Sequence, residues 1–278
     1  MNIFFVCGAP KSGTTWLQRV LDAHPEVACS GEGHFITRFS APVANVVNAY
    51  NRDLGWETKL VYDGQPYYGG VDQAEFDEIV RGFILARLRT RAGAETRWVG
   101  DKTPGYTKHL SHLHRLFPAA KIIHIVRDPR DVAVSRMAFS KRAGATEACT
   151  PGAEQHRATL EGAVRSWTEA VTAVDAFAQA HPGLVHELGY LDLHADPIGE
   201  TERLFEFLGA PTPRVLIEQI VAATSFEALS GRRPGQEDQG SFLRKGLPGD
   251  WRTALDPASA ELIVESCGPL MREKRLAA

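Results

Sequence analysis

The opening stretch constrains the chain most: Ile3-Phe4-Phe5-Val6-Cys7-Gly8-Ala9-Pro10-Lys11-Ser12-Gly13-Thr14-Thr15-Trp16-Leu17. An apolar run of strand character ends at Gly8, and a turn rich in Gly, Pro and Ser follows. Trp16, Leu17, Val20 and Leu21 then recur at helical spacing, so the reading is strand, tight loop, helix. Such a loop suits phosphate. Its glycines let backbone approach an anion, and the helix start offers unpaired N–H groups and a favourable dipole. Lys11, Ser12, Thr14 and Thr15 add side-chain donors around Gly13.

The loop departs from the nucleotide-hydrolase pattern G-x-x-x-x-G-K-[ST]. Gly8 and Gly13 have the right spacing, but Thr14 stands where the lysine belongs and the lysine has moved back to Lys11. No clear apolar strand ends in an aspartate placed for magnesium. The expectation is a phosphate held without metal, with Lys11 facing a different ligand atom. The plainer alternative is a turn whose glycines serve geometry alone.

A chain of 278 residues can bury one sizeable core, and one domain over 1–278 is expected. The net charge of -3 argues against a nucleic-acid or membrane-surface partner. The first residues read as a core strand and not as a signal peptide, so a cytoplasmic location is expected. Cys7, Cys29, Cys149 and Cys267 are scattered, which favours free thiols over disulfides or zinc ligands.

Further along, Gly31 and Gly33 flank Glu32 in a turn near the end of a short second strand. Residues 36–75 show no regular pattern but carry Phe39, Tyr50, Trp56, Tyr62, Tyr67 and Tyr68, and read as an insertion lining a substrate cleft. Residues 72–91 make an amphipathic helix through Phe76, Ile79, Val80, Phe83, Ile84 and Leu88. A short strand at Trp98-Val99-Gly100 leads into Asp101-Lys102-Thr103-Pro104, and a helix spans 107–116. Lys121-Ile122-Ile123-His124-Ile125-Val126 is the clearest buried strand. It ends in Arg127-Asp128-Pro129, with Asp128 a good N-cap and Pro129 a good first helical residue. Arg127 therefore lies at a strand's C-terminal edge, where open α/β sheets bind ligands. A mobile surface loop is read over 141–156, a long helix from Leu160 to Ala180, a strand over 184–188, and helices over 198–208 and 213–223. The polar stretch 231–246 reads as flexible. Alternating strands and helices argue a parallel sheet covered on both faces.

Taken together the chain resembles the sulfotransferases that use 3′-phosphoadenosine 5′-phosphosulfate (PAPS). Three signatures occur in that family's order. Pro10 to Trp16 resembles the 5′-phosphosulfate loop, and Ile125 to Asp131 with Ser135 resembles the 3′-phosphate element. Leu243-Arg244-Lys245-Gly246, with Gly249-Asp250-Trp251, resembles the late loop that closes over the nucleotide. The resemblance implies a P-loop-containing nucleoside-triphosphate-hydrolase-like three-layer α/β sandwich, with PAPS as co-substrate, PAP as product and no metal. It also places Trp16, Tyr190, Thr224, Ser225 and Phe226 around the adenine, and 231–246 over the nucleotide. PAPS carries charge at two separated places, and Arg127 with Ser135 suits the second. In isolation, an ion pair with Asp131 is the preferred reading of Arg127 and a solvated basic loop that of Arg244-Lys245, while Trp16 equally fits ordinary packing.

The reaction so implied is in-line transfer of a sulfuryl group to a hydroxyl or amine of a small-molecule, carbohydrate or peptide acceptor, and the aromatics between 35 and 68 favour a phenolic or other flat, partly apolar one. Lys11 is expected at the leaving oxygen and Glu32 as general base. The Cys29-Ser30-Gly31-Glu32 context resembles the glutamate region of the protein-tyrosine sulfotransferases, and Lys102 a lysine beside the sulfuryl oxygens. His34 and His109 are the fallback bases. The other readings are a PAP-binding protein without catalysis and a kinase-like phosphotransferase.

Overall fold

Alternation along the first strand sets the layering. Phe4 and Val6 enter one apolar core while Phe5 and Cys7 enter another on the opposite side. The structure, a computed structural model, describes residues 1–276. Its strands are β1 (Asn2–Cys7), β2 (Val27–Gly31), β3 (Trp98–Lys102), β4 (Lys121–Val126) and β5 (Val185–Gly189). They form one parallel sheet in the order β2-β3-β1-β4-β5.

Helix α1 (Thr14–Asp22) joins β1 to β2, and α2 (Ala41–Leu60) and α3 (Gln73–Leu88) precede β3. Helix α4 (Leu110–Leu116) leads into β4, and α5 (Pro129–Arg142) and α6 (Glu154–Ala180) lead into β5. After β5 come α7 (Tyr190–Ala195), α8 (Pro197–Leu208), α9 (Arg214–Ala223) and α10 (Phe226–Ser230), then α11 (Trp251–Ala254) and α12 (Pro257–Glu273). Leu17 and Leu21 of α1, Phe205 of α8 and Ile217 of α9 cover the Phe4 face. Val80 and Ile84 of α3, Leu113 of α4 and Phe177 of α6 cover the Phe5 face. The three-layer α/β sandwich with a parallel sheet is the fold the alternation called for.

Several boundaries differ from the sequence reading. Residues 36–75 are largely regular: a π-helical turn at Phe35–Ser40 runs into α2. No residue of α2 is buried, so it has no deep apolar stripe for periodicity to reveal. The expected loop over 141–156 narrows to residues 143–153, since α5 reaches Arg142 and α6 starts at Glu154, and a short 3₁₀ turn at Thr146–Cys149 lies within it. Residues 104–109 are 3₁₀ and only Leu110–Leu116 are α-helical. Ile79 is half exposed on α3, whose start is instead fixed by a capping box between Asp72 and Glu75. Asp128 does cap α5, accepting from Arg130 N at 2.8 Å. Among the described residues no helix is long and apolar enough to cross a membrane.

Candidate active site

All five strands deliver a candidate residue at their C-terminal ends. Gly8 follows β1, Glu32 follows β2, Lys102 ends β3, Arg127 follows β4 and Tyr190 follows β5. In-register pairing makes this one edge: Lys102 lies level with Val6 and with Gly31, and Val126 level with Gly189.

The Gly8–Gly13 loop is tightly held. A β-carbon on Gly13 would sit 2.6 Å from Tyr190 Cδ2, and Gly13 has φ +100°. Lys11 is left-handed too, at φ 80°, an unusual conformation for a residue with a side chain. Helix α1 starts with no side-chain cap, so its first amides are free to donate outward. Ser12 Oγ is buried without a hydrogen-bond partner among the described residues. The Lys11 ammonium lies 4.7 Å from the ring centroids of both Phe139 and Phe242. Burial, with Arg142 and Arg127 nearby, lowers its pKa to about 8.

On the β2–β3 side, Lys102 Nζ donates to Glu32 Oε1 at 2.5 Å and to Thr15 Oγ1 at 3.3 Å. This nearly buried lysine thus joins the candidate base to the first turn of α1. His34 Nε2 lies 3.2 Å from Glu32 Oε2. Beneath them Asp101 accepts from Gly33 N (2.9 Å), Thr103 Oγ1 (2.8 Å) and Tyr106 OH (2.8 Å). Burial raises the Asp101 carboxyl pKa against the pull of those bonds. Thr103 Oγ1 also accepts from His34 N at 3.3 Å, so the loop bearing Glu32 and His34 is tied to β3 twice. His109 makes no hydrogen bond or ion pair to Lys11, Glu32 or Lys102 among the described residues, and burial lowers its pKa.

On the β4–β5 side, Trp167 Nε1 donates to Arg127 O at 2.8 Å, while the guanidinium lies 4.3 Å over the Tyr190 ring. Arg127 Nη1 donates to Lys11 O at 3.4 Å and Nη2 lies 3.6 Å from Asp131 Oδ2. The pairing with Asp131 is real, yet Arg127 Nε remains buried and unpartnered among the described residues. Ser135, half-buried, is one turn beyond Asp131 on the same face of α5. Asp131 in turn accepts from Gly249 N (2.7 Å) and Trp251 N (3.1 Å), which docks the late loop onto α5.

Within that loop Arg232 donates to the carbonyls of Leu243 and Arg244. Arg244 pairs with Asp250 and Glu237, and Lys245 with Asp250. Both cations are therefore internally neutralised. Gly246, at φ +66°, gives room to the Phe226 ring. Trp16 Nε1 donates to Thr224 O at 2.9 Å, and the Trp16 and Tyr190 rings meet edge-on at 5.6 Å. The Thr224 hydroxyl turns inward to Ile220 O, and Ser225 caps α10. The proposed adenine residues are thus brought together, though two spend their hydroxyls on the chain itself.

Three contributors were missed in the sequence. Asp101 was passed over for its neighbour Lys102, Phe139 was not singled out, and Arg142 was read as part of a surface loop. A solitary aromatic one turn past Ser135 on a polar helix was the available signal.

This geometry gathers Lys11, Lys102 and Arg127 with a paired carboxylate, Glu32, at one edge of a parallel α/β sheet. Residues 4–214 match the model of the Sulfotransferase family, and the chain belongs to that family. Human protein-tyrosine sulfotransferase 1 is 32% identical over 130 residues, covering 47% of this chain and 32% of that protein. Mouse sulfotransferase 2B1 is 31% identical over 156 residues, covering 51% of this chain and 45% of that protein. The matches thus span under half the length of these two relatives. The fold also superposes on mouse sulfotransferase SULT7A1 solved with PAP, with TM-score 0.57 and 21% identity, over 98% of this chain and 84% of that one.

Proposed function

We propose that this chain transfers a sulfuryl group from PAPS to an acceptor hydroxyl or amine, with Glu32 as general base and Lys11 at the leaving oxygen. The convergence of the loop, the Glu32–Lys102 pair and Arg127 on one sheet edge carries the reading. The residues present suit the nucleotide. Ser12 Oγ, within the loop, and Arg127 Nε, after β4, are buried donors with no partner among the described residues. When bound, PAPS supplies the activated sulfuryl group and leaves as PAP.

The chain's own residues do the rest. The Gly8–Gly13 loop and the open amides of α1 hold the 5′ end. Arg127 and Ser135 hold the 3′ end, and Trp16 and Tyr190 flank the base. The 231–246 segment covers the nucleotide, with Arg244 and Lys245 exchanging Asp250 for phosphate. Lys11 neutralises charge on the departing oxygen, an effect worth about 3 kcal/mol for one well-placed donor. Lys102 steadies both Glu32 and the sulfuryl oxygens, and Glu32 takes the acceptor proton. His34 orients Glu32 from the other oxygen. All four cysteines are free thiols, which fits a reducing compartment and a cytoplasmic setting.

The test is Glu32→Gln. PAP release in the presence of PAPS and a panel of phenols, alcohols, sugars and amines should fall at least about a hundredfold, while PAP affinity by calorimetry stays within a few-fold. Full activity in this variant would remove Glu32 from the reaction.

A further inference from the structure

A cleft of about 390 Å³ opens against the loop that carries Glu32. Gly31 and Gly33, the residues either side of Glu32, form part of its wall. Phe35, Phe39 and Phe83 supply an apolar side, with the Phe39 and Phe83 rings stacked. Of the aromatics the sequence offered as a cleft lining, only Phe39 is here. Tyr50, Trp56, Tyr62, Tyr67 and Tyr68 are exposed.

The rest of the wall is cationic. Arg38 and Arg87 both line the cleft, and neither has an ion-pair partner among the described residues. Arg87 lies 5.9 Å over the Phe83 ring, so it borders the same apolar surface. The one acid in the wall, Asp101, has its carboxylate taken up by Gly33, Thr103 and Tyr106. Glu32 itself is neutralised by Lys102 at 2.5 Å. An anion entering here meets two guanidinium groups and no unpaired carboxylate. Arg38 N bonds back to His34 O at 2.8 Å, so this arginine rides on the segment that carries the base.

Resting on the sulfuryl-transfer reading, we propose that this cleft is the acceptor subsite and that it takes a small hydroxylated aromatic acid. The ring lies on the phenylalanine side, the carboxylate meets Arg38 and Arg87, and the hydroxyl points to the Gly31–Gly33 turn that carries Glu32, whose own side chain is not part of the wall. The volume is at the low end for ligand sites, about 300–1,000 Å³, which suits one ring and a short side chain and excludes a polycyclic acceptor. Guanidinium groups match a carboxylate in shape as well as charge.

The experiment uses the full chain with three matched phenols: 3-(4-hydroxyphenyl)propionate, its amide, and tyramine. PAPS-dependent PAP release should favour the acid over the amide by about ten- to a hundredfold in kcat/KM, with tyramine poorest. In the Arg38→Ala/Arg87→Ala double variant the acid-to-amide ratio should fall to about one through KM. The Arg38→Lys/Arg87→Lys variant should keep part of the preference, and it serves if the alanine pair does not fold. Equal use of acid and amide, or a preference that survives the double variant, overturns the subsite. Acid binding to the PAP-loaded chain, followed by NMR titration in both variants, reads the subsite without turnover. Arginine-dependent acid binding with no PAP release from any phenol would sink the transfer reading and leave the subsite standing. Absence of acid-specific binding would sink the subsite even if other acceptors are sulfated.

Discussion

Two charged clusters sit on the same sheet and are built in opposite ways. At the C-terminal edge, Lys11 is held in a left-handed conformation beside two phenyl rings, and Ser12 Oγ and Arg127 Nε are buried without partners among the described residues. At the β4–β5 side, Glu187 accepts from His124 Nδ1 at 2.9 Å and from Lys274 at 2.8 Å. Burial alone would raise the Glu187 pKa, but the bonds from His124 and Lys274 win and lower it to about 2. The Lys11 pKa moves to about 8 because burial dominates there and other cations stand close by. Charge satisfied within the chain stabilises the fold, whereas charge left wanting is stabilised by an incoming anion. On the proposed function, the two clusters divide stability from activity.

The sharpest break in that division is Lys11→Met. Turnover should drop about 10²- to 10³-fold, measured as PAP release, while the melting temperature holds or rises because a buried, poorly compensated cation is gone. The same lysine sets a pH limit. It is protonated below about 8 and loses its charge above it, so kcat/KM should decline on the alkaline side of pH about 8. Lys11→Arg should move that limb out of range.

Gly13→Ala comes next. The added methyl must displace the Tyr190 ring from 2.6 Å and adopt φ +100°, so PAP affinity by calorimetry should weaken at least about tenfold. Asp101→Asn should act more narrowly. It removes the charge that holds Gly33, Thr103 and Tyr106, and it turns an amide toward donors. We expect kcat to fall about tenfold with PAP affinity retained, and the acid limb of the pH–rate profile to shift, which a purely structural change would not cause.

The smallest effect on turnover, essentially none, is expected for Lys274→Met. Its cost is stability, about 1–3 kcal/mol at neutral pH by chemical denaturation. Because the folded Glu187 pKa is lowered from 4.5 to about 2, its stabilisation is full above pH about 4.5 and fades as pH falls toward 2. The difference between wild type and variant should shrink over that window. A Lys274 variant that lost turnover instead would show the two clusters to be coupled.

Much of the nucleotide half was legible in the chain. Gly13 and Thr14 announce a strand–loop–helix turn, and Arg127-Asp128-Pro129 announces a strand end and a helix start, because both signals lie within a few consecutive residues. The acceptor half was less legible. Glu32 and Lys102 stand 70 positions apart and meet only through the β2–β3 register. Arg38 and Arg87 reach one cleft from separate segments, and α2 showed no stripe because nothing covers it fully.

By itself, then, the sequence determined the parallel α/β sandwich and the strand–loop–helix turn at Gly8–Gly13, since periodicity, caps and glycines act over short spans of chain. Only the tertiary structure decided that Asp101 anchors the Glu32 loop, that Phe139 and Phe242 enclose Lys11, and that Asp250 holds Arg244 and Lys245. Those contacts depend on which distant segments the strand order brings side by side, and no local pattern encodes that.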